Sequence, residues 1–249
     1  DPYFEIGLVH RPWLDFEEHI NVYRLQGTMY LERSHLLNSA DYGVTFFTLF
    51  GGKMPEKYQK EINKTYPGRY GSFAVGIYNG GGYHAIEDNS NKLVETRLTI
   101  RPVPEIIPGL QFSYYGVFGK GNTPAMPDFV LNNLFLSYEN PFLVATAQYY
   151  FGQGNSRGSF VYENGKASDN NGYSIFAEVQ PLEYPVFLFG RYDCFLSDIN
   201  DLCDKRIIAG ISYKFYKKNK VIFDIDRMSH NSIVSPEQNL YEVAIEVHF

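Results

Sequence analysis

The chain ends in a stretch that alternates between apolar and polar side chains: Leu240-Tyr241-Glu242-Val243-Ala244-Ile245-Glu246-Val247-His248-Phe249. Every odd-numbered residue in it is aromatic or aliphatic, and the even-numbered residues include Glu242, Glu246 and His248. Successive side chains of an extended chain point to opposite faces, so a strict period of two predicts a β-strand with one apolar and one polar face. The terminal Phe249 completes the apolar face.

The same alternation recurs along the whole chain, most clearly in residues 94–101 and 206–215. It predicts about twelve strands, near residues 3–9, 41–50, 71–79, 92–102, 110–119, 129–138, 142–152, 172–180, 186–195, 205–215, 220–228 and 240–249. Most of them approach the roughly 9–11 residues that a tilted strand needs to cross a bilayer, whereas strands of soluble proteins average about 5–6.

The connections between these strands alternate in length. Short links such as 139–141 and 217–219 are interspersed with longer polar loops such as 152–171. This pattern is typical of an antiparallel meander and of membrane barrels with short periplasmic turns and long external loops. The predicted fold class is therefore all-β: a transmembrane antiparallel up-and-down β-barrel of about twelve strands, with residues 1–249 forming one domain.

A soluble β-sandwich or lipocalin-like barrel is the alternative fold, because it also alternates apolar and polar residues. In that fold the apolar face points inward, and alternation alone does not reveal the direction. The length of the strands and the aromatic side chains near strand ends, such as Tyr213 and Phe215, favour the membrane.

Composition narrows the classes of function. The 249 residues carry a net charge of −6 and contain no basic block, which argues against nucleic acid as a partner. Tyr and Phe are abundant, with 21 and 20 residues, and both favour strands. No run approaches the roughly 18 apolar residues of a membrane helix, which excludes a helical membrane protein. The expected location is the bacterial outer membrane, with its lipid as a partner.

Two stretches do not fit a simple meander. Residues 13–38 are mixed in charge and partly helix-like, and they either fold into the lumen as a constriction or form an external loop with a short helix. Residues 51–69 form a polar, lysine-rich link that is unusually long for the periplasmic end of a barrel.

No catalytic or metal-binding constellation is recognisable, so we predict neither an enzyme nor a cofactor. The six histidines are scattered, without the spacing of metal ligands. Ser229 and His230 are adjacent and would face opposite sides of a strand, so they do not form a nucleophile and its base. Cys194 and Cys203 are too few for a disulfide scaffold. The alternatives for them are one bridge across the loop that separates them and two free thiols.

Several short motifs resemble one family of outer-membrane barrels, the phosphate-selective porin O and P family. Glycine, proline and aromatic residues at characteristic positions carry the resemblance: Gly7-x-x-x-x-Pro12-Trp13, Tyr23-Arg24, Ser39-Ala40-Asp41-Tyr42-Gly43-Val44, Val75-Gly76-Ile77-Tyr78-Asn79-Gly80, Gly82-Tyr83, Arg97-Leu98-Thr99-x-Arg101-Pro102, Pro108-Gly109-Leu110, Arg191-Tyr192-Asp193 and Phe249.

This resemblance implies an outer-membrane diffusion channel, usually trimeric, with about sixteen strands per subunit. The chain departs from the family in its smaller number of strands. Either the barrel closes at twelve strands, or strands before residue 1 are absent from this sequence.

The lumen would be lined by the polar faces of the strands. The predicted pore-lining residues are charged side chains on those faces: Glu95, Arg97, Arg101, Glu178, Arg191, Asp193, Arg206, Asp224, Asp226, Glu242 and Glu246. Acids outnumber bases in this set, which favours cations and argues against carrying the family's phosphate selectivity over to this chain. The alternative is that these charges pair across strands and brace the wall.

The predicted function is an outer-membrane porin that passes small hydrophilic solutes or ions through a charged lumen. The porin would act as a homotrimer or within a larger outer-membrane complex. The alternative is a plugged barrel that serves as a scaffold or binding platform for another outer-membrane or extracellular protein.

Overall fold

The computed structural model of the protein describes residues 2–181, 184–199, 202–216, 219–231 and 237–247. The strands are β1 (Tyr3–His10), β2 (Ala40–Phe50), β3 (Gly71–Tyr78), β4 (Leu93–Ile100), β5 (Leu110–Lys120), β6 (Asp128–Glu139), β7 (Leu143–Gln153), β8 (Asp169–Val179), β9 (Val186–Ser197), β10 (Leu202–Tyr216), β11 (Asn219–His230) and β12 (Gln238–Glu246). The helices are α1 (Pro12–Glu18), α2 (Tyr30–Arg33) and α3 (Glu56–Glu61), and Arg24–Gln26 forms a 3-10 turn.

The strands form one antiparallel sheet in which each strand pairs with its neighbours in sequence, in the order β1 to β12. The predicted all-β up-and-down fold is therefore confirmed, and each strand lies within three residues of its predicted bounds. His248 and Phe249, the last residues of the predicted final strand, lie outside the described residues.

The turn between β6 and β7 illustrates how sequence sets a short connection. The side-chain Oδ1 of Asn140 accepts hydrogen bonds from the backbone N–H groups of Phe142 and Leu143, both at 2.8 Å. Asn side chains that mimic a backbone turn in this way close tight reversals, and the proline between Asn140 and Phe142 favours the bend.

The two faces of the sheet differ in chemistry. One face exposes large apolar side chains such as Ile6, Ile175 and Val243. The opposite face, which we call the inner face, buries charged side chains such as Glu95 and Asp224. An exposed apolar face combined with a polar interior is the pattern of a membrane barrel and the reverse of a soluble one.

The sheet curls around the connection between β1 and β2. The consecutive residues Pro12, Trp13 and Leu14, together with Phe16 and Glu17, are all buried. Side chains of neighbouring helical residues point about 100° apart, so a helix lying on a flat sheet would expose one side to solvent. Asp15 and Glu18, which share one side of α1, are only half-buried. The connection nevertheless contacts strands from β4, through Arg11 and Glu95, to β12, through Gln26 and Glu242, so the sheet curls around it.

The sheet does not close on itself, since the described residues of β1 and β12 do not pair with each other. Among the helices of the described residues, none is long and apolar enough to cross a membrane.

Candidate functional site in the barrel interior

Residues 11–38, which we call the luminal segment, leave the end of β1 and fold against the inner face before β2 begins. They carry much of the hydrophobic core. Trp13 stacks on Tyr115 of β5 with ring centroids 5.6 Å apart, and meets Phe135 of β6 edge-on at 5.0 Å. The apolar core of the protein thus lies inside the curled sheet, between the luminal segment and the wall.

The luminal segment begins at a buried ion-pair cluster. Arg11 Nη2 donates to Asp41 Oδ2 at 2.9 Å, and Nη1 donates to Glu95. Tyr115 Oη donates to the second oxygen of Glu95 at 2.7 Å, and the backbone N–H of Gly80 donates to Asp41 at 2.7 Å. Burial alone would lower the pKa of Arg11, but the two carboxylates outweigh it and raise that pKa above its usual value.

A second insert, residues 51–70, connects β2 to β3 and meets the luminal segment inside the sheet. Tyr66 of this insert donates a hydrogen bond to Asp15, and its ring lies edge-on to Phe16 with centroids 5.0 Å apart. The guanidinium of Arg97, fully buried on β4, lies 4.4 Å from the ring centroid of Phe16 and 5.0 Å from that of Tyr66. The interior beside β2 to β6 is therefore filled with packed side chains.

A second ion-pair cluster joins the luminal segment to β9. Trp13 Nε1 donates to Glu17 at 2.8 Å, and the other Glu17 oxygen lies 3.6 Å from Arg191 Nη2. Arg33 pairs with Asp193, which also accepts a hydrogen bond from Arg191 Nε at 3.1 Å. Burial raises the pKa of Glu17 to about 7, although Arg191 acts in the opposite direction.

A glycine on β8 makes room for this attachment. Tyr30 Oη donates to the backbone carbonyl of Cys194 at 3.0 Å. A Cβ at Gly172, on the inner face, would collide with that hydroxyl and that carbonyl oxygen. Glycine is thus the residue that lets α2 dock on β8 and β9.

The wall from β8 to β12 is less completely covered. Tyr23 of the luminal segment stacks on Phe189 with centroids 3.9 Å apart and shares a hydrogen bond of 2.7 Å with Ser212 Oγ. Beside this contact, Arg206 and Glu242 remain partly exposed on the inner face. A cavity of about 440 Å³ lies between residues 28–35 of the luminal segment and strands β9 to β11.

All eleven predicted pore-lining residues lie on the inner face, but in different surroundings. Glu95, Arg97 and Arg101 are at most 1% exposed and lie beneath the two inserts, so they brace packed side chains instead of facing open space. Five more are buried and belong to strands β8, β9 and β11: Glu178, Arg191, Asp193, Asp224 and Asp226. The partly exposed ones are Arg206, Glu242 and Glu246.

Several of these charges pair across strands. Arg206 Nε donates to both oxygens of Asp226, at 2.8 and 3.0 Å, and Glu246 lies 3.1 Å from Lys220 Nζ. Arg11 and its partner Asp41, which anchor the luminal segment, are not among the predicted site residues. The signal for them is weak, since both lie at a strand end where alternation stops.

The two cysteines are free thiols in the structure, so of the two predicted alternatives the bridge between them is not formed there. They lie on the outer face, where Cys194 is opposite Lys205 and Cys203 is opposite Leu196 on neighbouring strands. Among the described residues, no three His, Cys, Asp or Glu side chains form a group able to hold a metal ion.

Comparison with known proteins supports the fold. No protein-family model matches the chain. No characterised protein matches its sequence significantly either. Among solved structures, a loop-deletion mutant of OmpT, an outer-membrane protein of Vibrio cholerae, is similar over 96% of this chain and 73% of its own length, at 12% identity and a TM-score of 0.63.

OmpT of Vibrio cholerae without that deletion is similar over 92% of this chain and 67% of its own, at 12% identity and a TM-score of 0.59. A porin refined at 1.8 Å is similar over 97% of this chain and 76% of its own, at 12% identity and a TM-score of 0.56. The long antiparallel strands, the exposed apolar face and these similarities together give the chain the fold of a bacterial outer-membrane β-barrel.

Proposed function

We propose that the protein is a porin of the bacterial outer membrane that lets small hydrophilic solutes and ions diffuse through its interior. The observation that carries this proposal is the inner wall of β10 to β12, where Arg206, Glu242 and Glu246 stay partly exposed near the luminal segment. The apolar outer face would contact lipid. The proposal includes a homotrimer or a larger outer-membrane complex and involves neither enzymatic activity, nor a cofactor, nor nucleic acid.

The passage would run between the luminal segment and β8–β12, because the interior beside β2–β6 is filled by Trp13, Phe16 and Tyr66. The luminal segment would then be the constriction that sets the width of the passage. Among the groups along this route, Arg206 is neutralised by Asp226, whereas Glu242 has no Lys, Arg or His within ion-pair distance among the described residues. Fixed negative charge raises the local concentration of cations, so cation preference is part of the proposal.

Membership of the phosphate-selective porin O and P family also belongs to this proposal. It is supported by the short motifs described above and by a fold shared with outer-membrane barrels. The proposed cation preference means that the family's phosphate selectivity would not extend to this chain.

Single-channel recording of the detergent-purified protein in a planar bilayer tests the proposal. Stable conductance steps, with a reversal potential under a salt gradient that indicates cation preference, are expected. Anion preference would refute the assignment of an acidic passage but leave the porin. A correctly folded, heat-modifiable protein without current would contradict the porin and favour the plugged scaffold.

The route of the passage can be tested with single cysteines in a background where Cys194 and Cys203 are serine. Glu242→Cys places a thiol on the proposed passage, and Thr99→Cys places one on the filled side of the same inner face. A charged thiol reagent should react with the first and reduce its current, and it should leave the second unchanged. Equal reaction at both positions would contradict the proposed route.

A further inference from the structure

We propose that Asp224, Glu242 and Gln26 form a binding site for a hard divalent cation, such as Ca²⁺, where the luminal segment meets β11 and β12. The site is defined by these three residues alone. Cation binding at this site does not depend on whether the protein conducts ions. The role of the site as a place where permeating cations bind rests on the proposed function.

The register of β11 and β12 brings two acidic side chains together. Asp224 and Glu242 are direct partners across the two strands, and both project from the inner face. Side chains in such a pair have Cβ atoms about 4.5–5.5 Å apart, and like charges placed there repel each other. A cation between the two carboxylates would turn this repulsion into attraction.

In the part of the chain that the structure describes, no base neutralises the pair. Within the described residues, neither carboxylate lies within ion-pair distance of a Lys, Arg or His side chain. The nearest candidates are already engaged, because Arg206 binds Asp226 with its Nε and Nη2 atoms and Lys220 binds Glu246. The negative charge of Asp224 and Glu242 is therefore available to bind a cation.

The luminal segment contributes a third polar side chain beside the acidic pair. Gln26 is only 5% exposed, and its Nε2 lies 3.4 Å from Glu242 Oε1. Its amide oxygen, Oε1, is buried and has no hydrogen-bond partner, and the same is true of Asp224 Oδ1. The Gln26 amide presents Nε2 to Glu242, and a half-turn of that amide would present the unpaired Oε1 there instead. Because buried polar atoms are almost always paired, the unpaired oxygens of Gln26 and Asp224 support a cation as their shared ligand.

The donor set identifies the class of ligand. All the available atoms are carboxylate or amide oxygens, which suit Ca²⁺ and Mg²⁺ better than softer metals. Three residues supply too few oxygens for the six to eight ligands of Ca²⁺, so water must complete the shell. Such a site binds weakly, and a dissociation constant of about 0.1–1 mM is expected, as in extracellular calcium modules.

Isothermal titration of the detergent-purified protein with CaCl₂ in 0.1 M KCl tests the site. Asp224→Asn and Glu242→Gln should each weaken the binding at least tenfold. Gln26→Glu should tighten it, since it adds a third carboxylate. Glu163→Gln, which removes the same charge from an exposed loop, is the matched control and should bind like the wild type. Unchanged heat-modifiability on a gel verifies that each variant is folded.

Absence of calcium binding by the wild type at 10 mM would overturn the proposal, and so would equal binding by Asp224→Asn, Glu242→Gln and the control. If calcium binds as expected, millimolar CaCl₂ should also reduce the potassium current in planar bilayers, and Asp224→Asn should abolish this block. Binding without any current would refute the proposed porin while leaving the cation site intact, so the two failures are distinguishable.

Discussion

Replacing Arg11 with methionine should release the luminal segment from the wall. Arg11, Asp41 and Glu95 are all fully buried, and Arg11 is the only base that pairs with either acid among the described residues. Removing one partner of a buried ion pair costs about 3–5 kcal/mol, because it leaves buried charge without compensation. Tyr115 and Gly80 still donate to the carboxylates, so we expect about 3 kcal/mol, or about a 150-fold larger open population of the segment.

Hydrogen exchange of residues 12–37 measures this opening directly, and the gel shift on heating checks that the barrel persists. Arg24→Gln is the matched control, since Arg24 belongs to the same segment and pairs with Glu18 and Glu32 near the surface. Exposed pairs contribute at most about 1 kcal/mol. Equal exchange rates in the Arg11 and Arg24 variants would refute the view that the buried cluster holds the segment in place.

Three further perturbations separate the contributions of packing, charge and protonation. Gly172→Ala should destabilise the docking of α2 by about 1–3 kcal/mol. Gly190→Ala is the control and should leave the stability unchanged, because its added Cβ meets no atom closer than 3.9 Å. Urea denaturation measures the free energy of unfolding of both variants. Arg97→Met should cost only about 1–2 kcal/mol in the same assay, because the guanidinium contacts rings and hydroxyls and leaves no carboxylate unpaired. The raised pKa of Glu17, about 7, means that the folded state holds its proton more tightly than the unfolded state. The stability of the luminal segment should therefore fall as the pH rises from about 4.5 to about 7, by up to about 3 kcal/mol, and hydrogen exchange of Glu17→Gln should lack this dependence.

The interior divides into a filled half and a charged half, and this division decides which residues can act on a solute. On the filled side, cation–π and aromatic contacts around Arg97 make a packed core. On the other side, charged groups of β10 to β12 stay near the edge of the luminal segment. Charge on the wall is therefore a poor guide to function until the position of the insert is known, because the insert buries one part of the wall and leaves the other accessible.

Sequence periodicity predicted the wall well because it is a local property. A strand with one apolar and one polar face requires only that apolar and polar residues alternate. Residues 206–215 and 240–247 show this alternation within their own short stretches of sequence. One clue to the filled lumen was also present. Val117 and Leu131 place apolar side chains on the inner face of β5 and β6. Apolar residues on the luminal side of a wall indicate that another apolar segment packs on them.

Local residue patterns are therefore enough to predict the strands, their order and the alternation between an apolar and a polar face. The contacts of Arg11 with Asp41 and Glu95 span 30 and 84 residues of chain, and the contact of Gln26 with Glu242 spans 216, so no local pattern predicts them. Such contacts depend on how the sheet curls around the luminal segment. When the sheet curls, residues far apart in the chain come into contact. Buried charges are stable only where an opposite charge or a hydrogen-bond donor neutralises them, so these long-range contacts form between complementary groups.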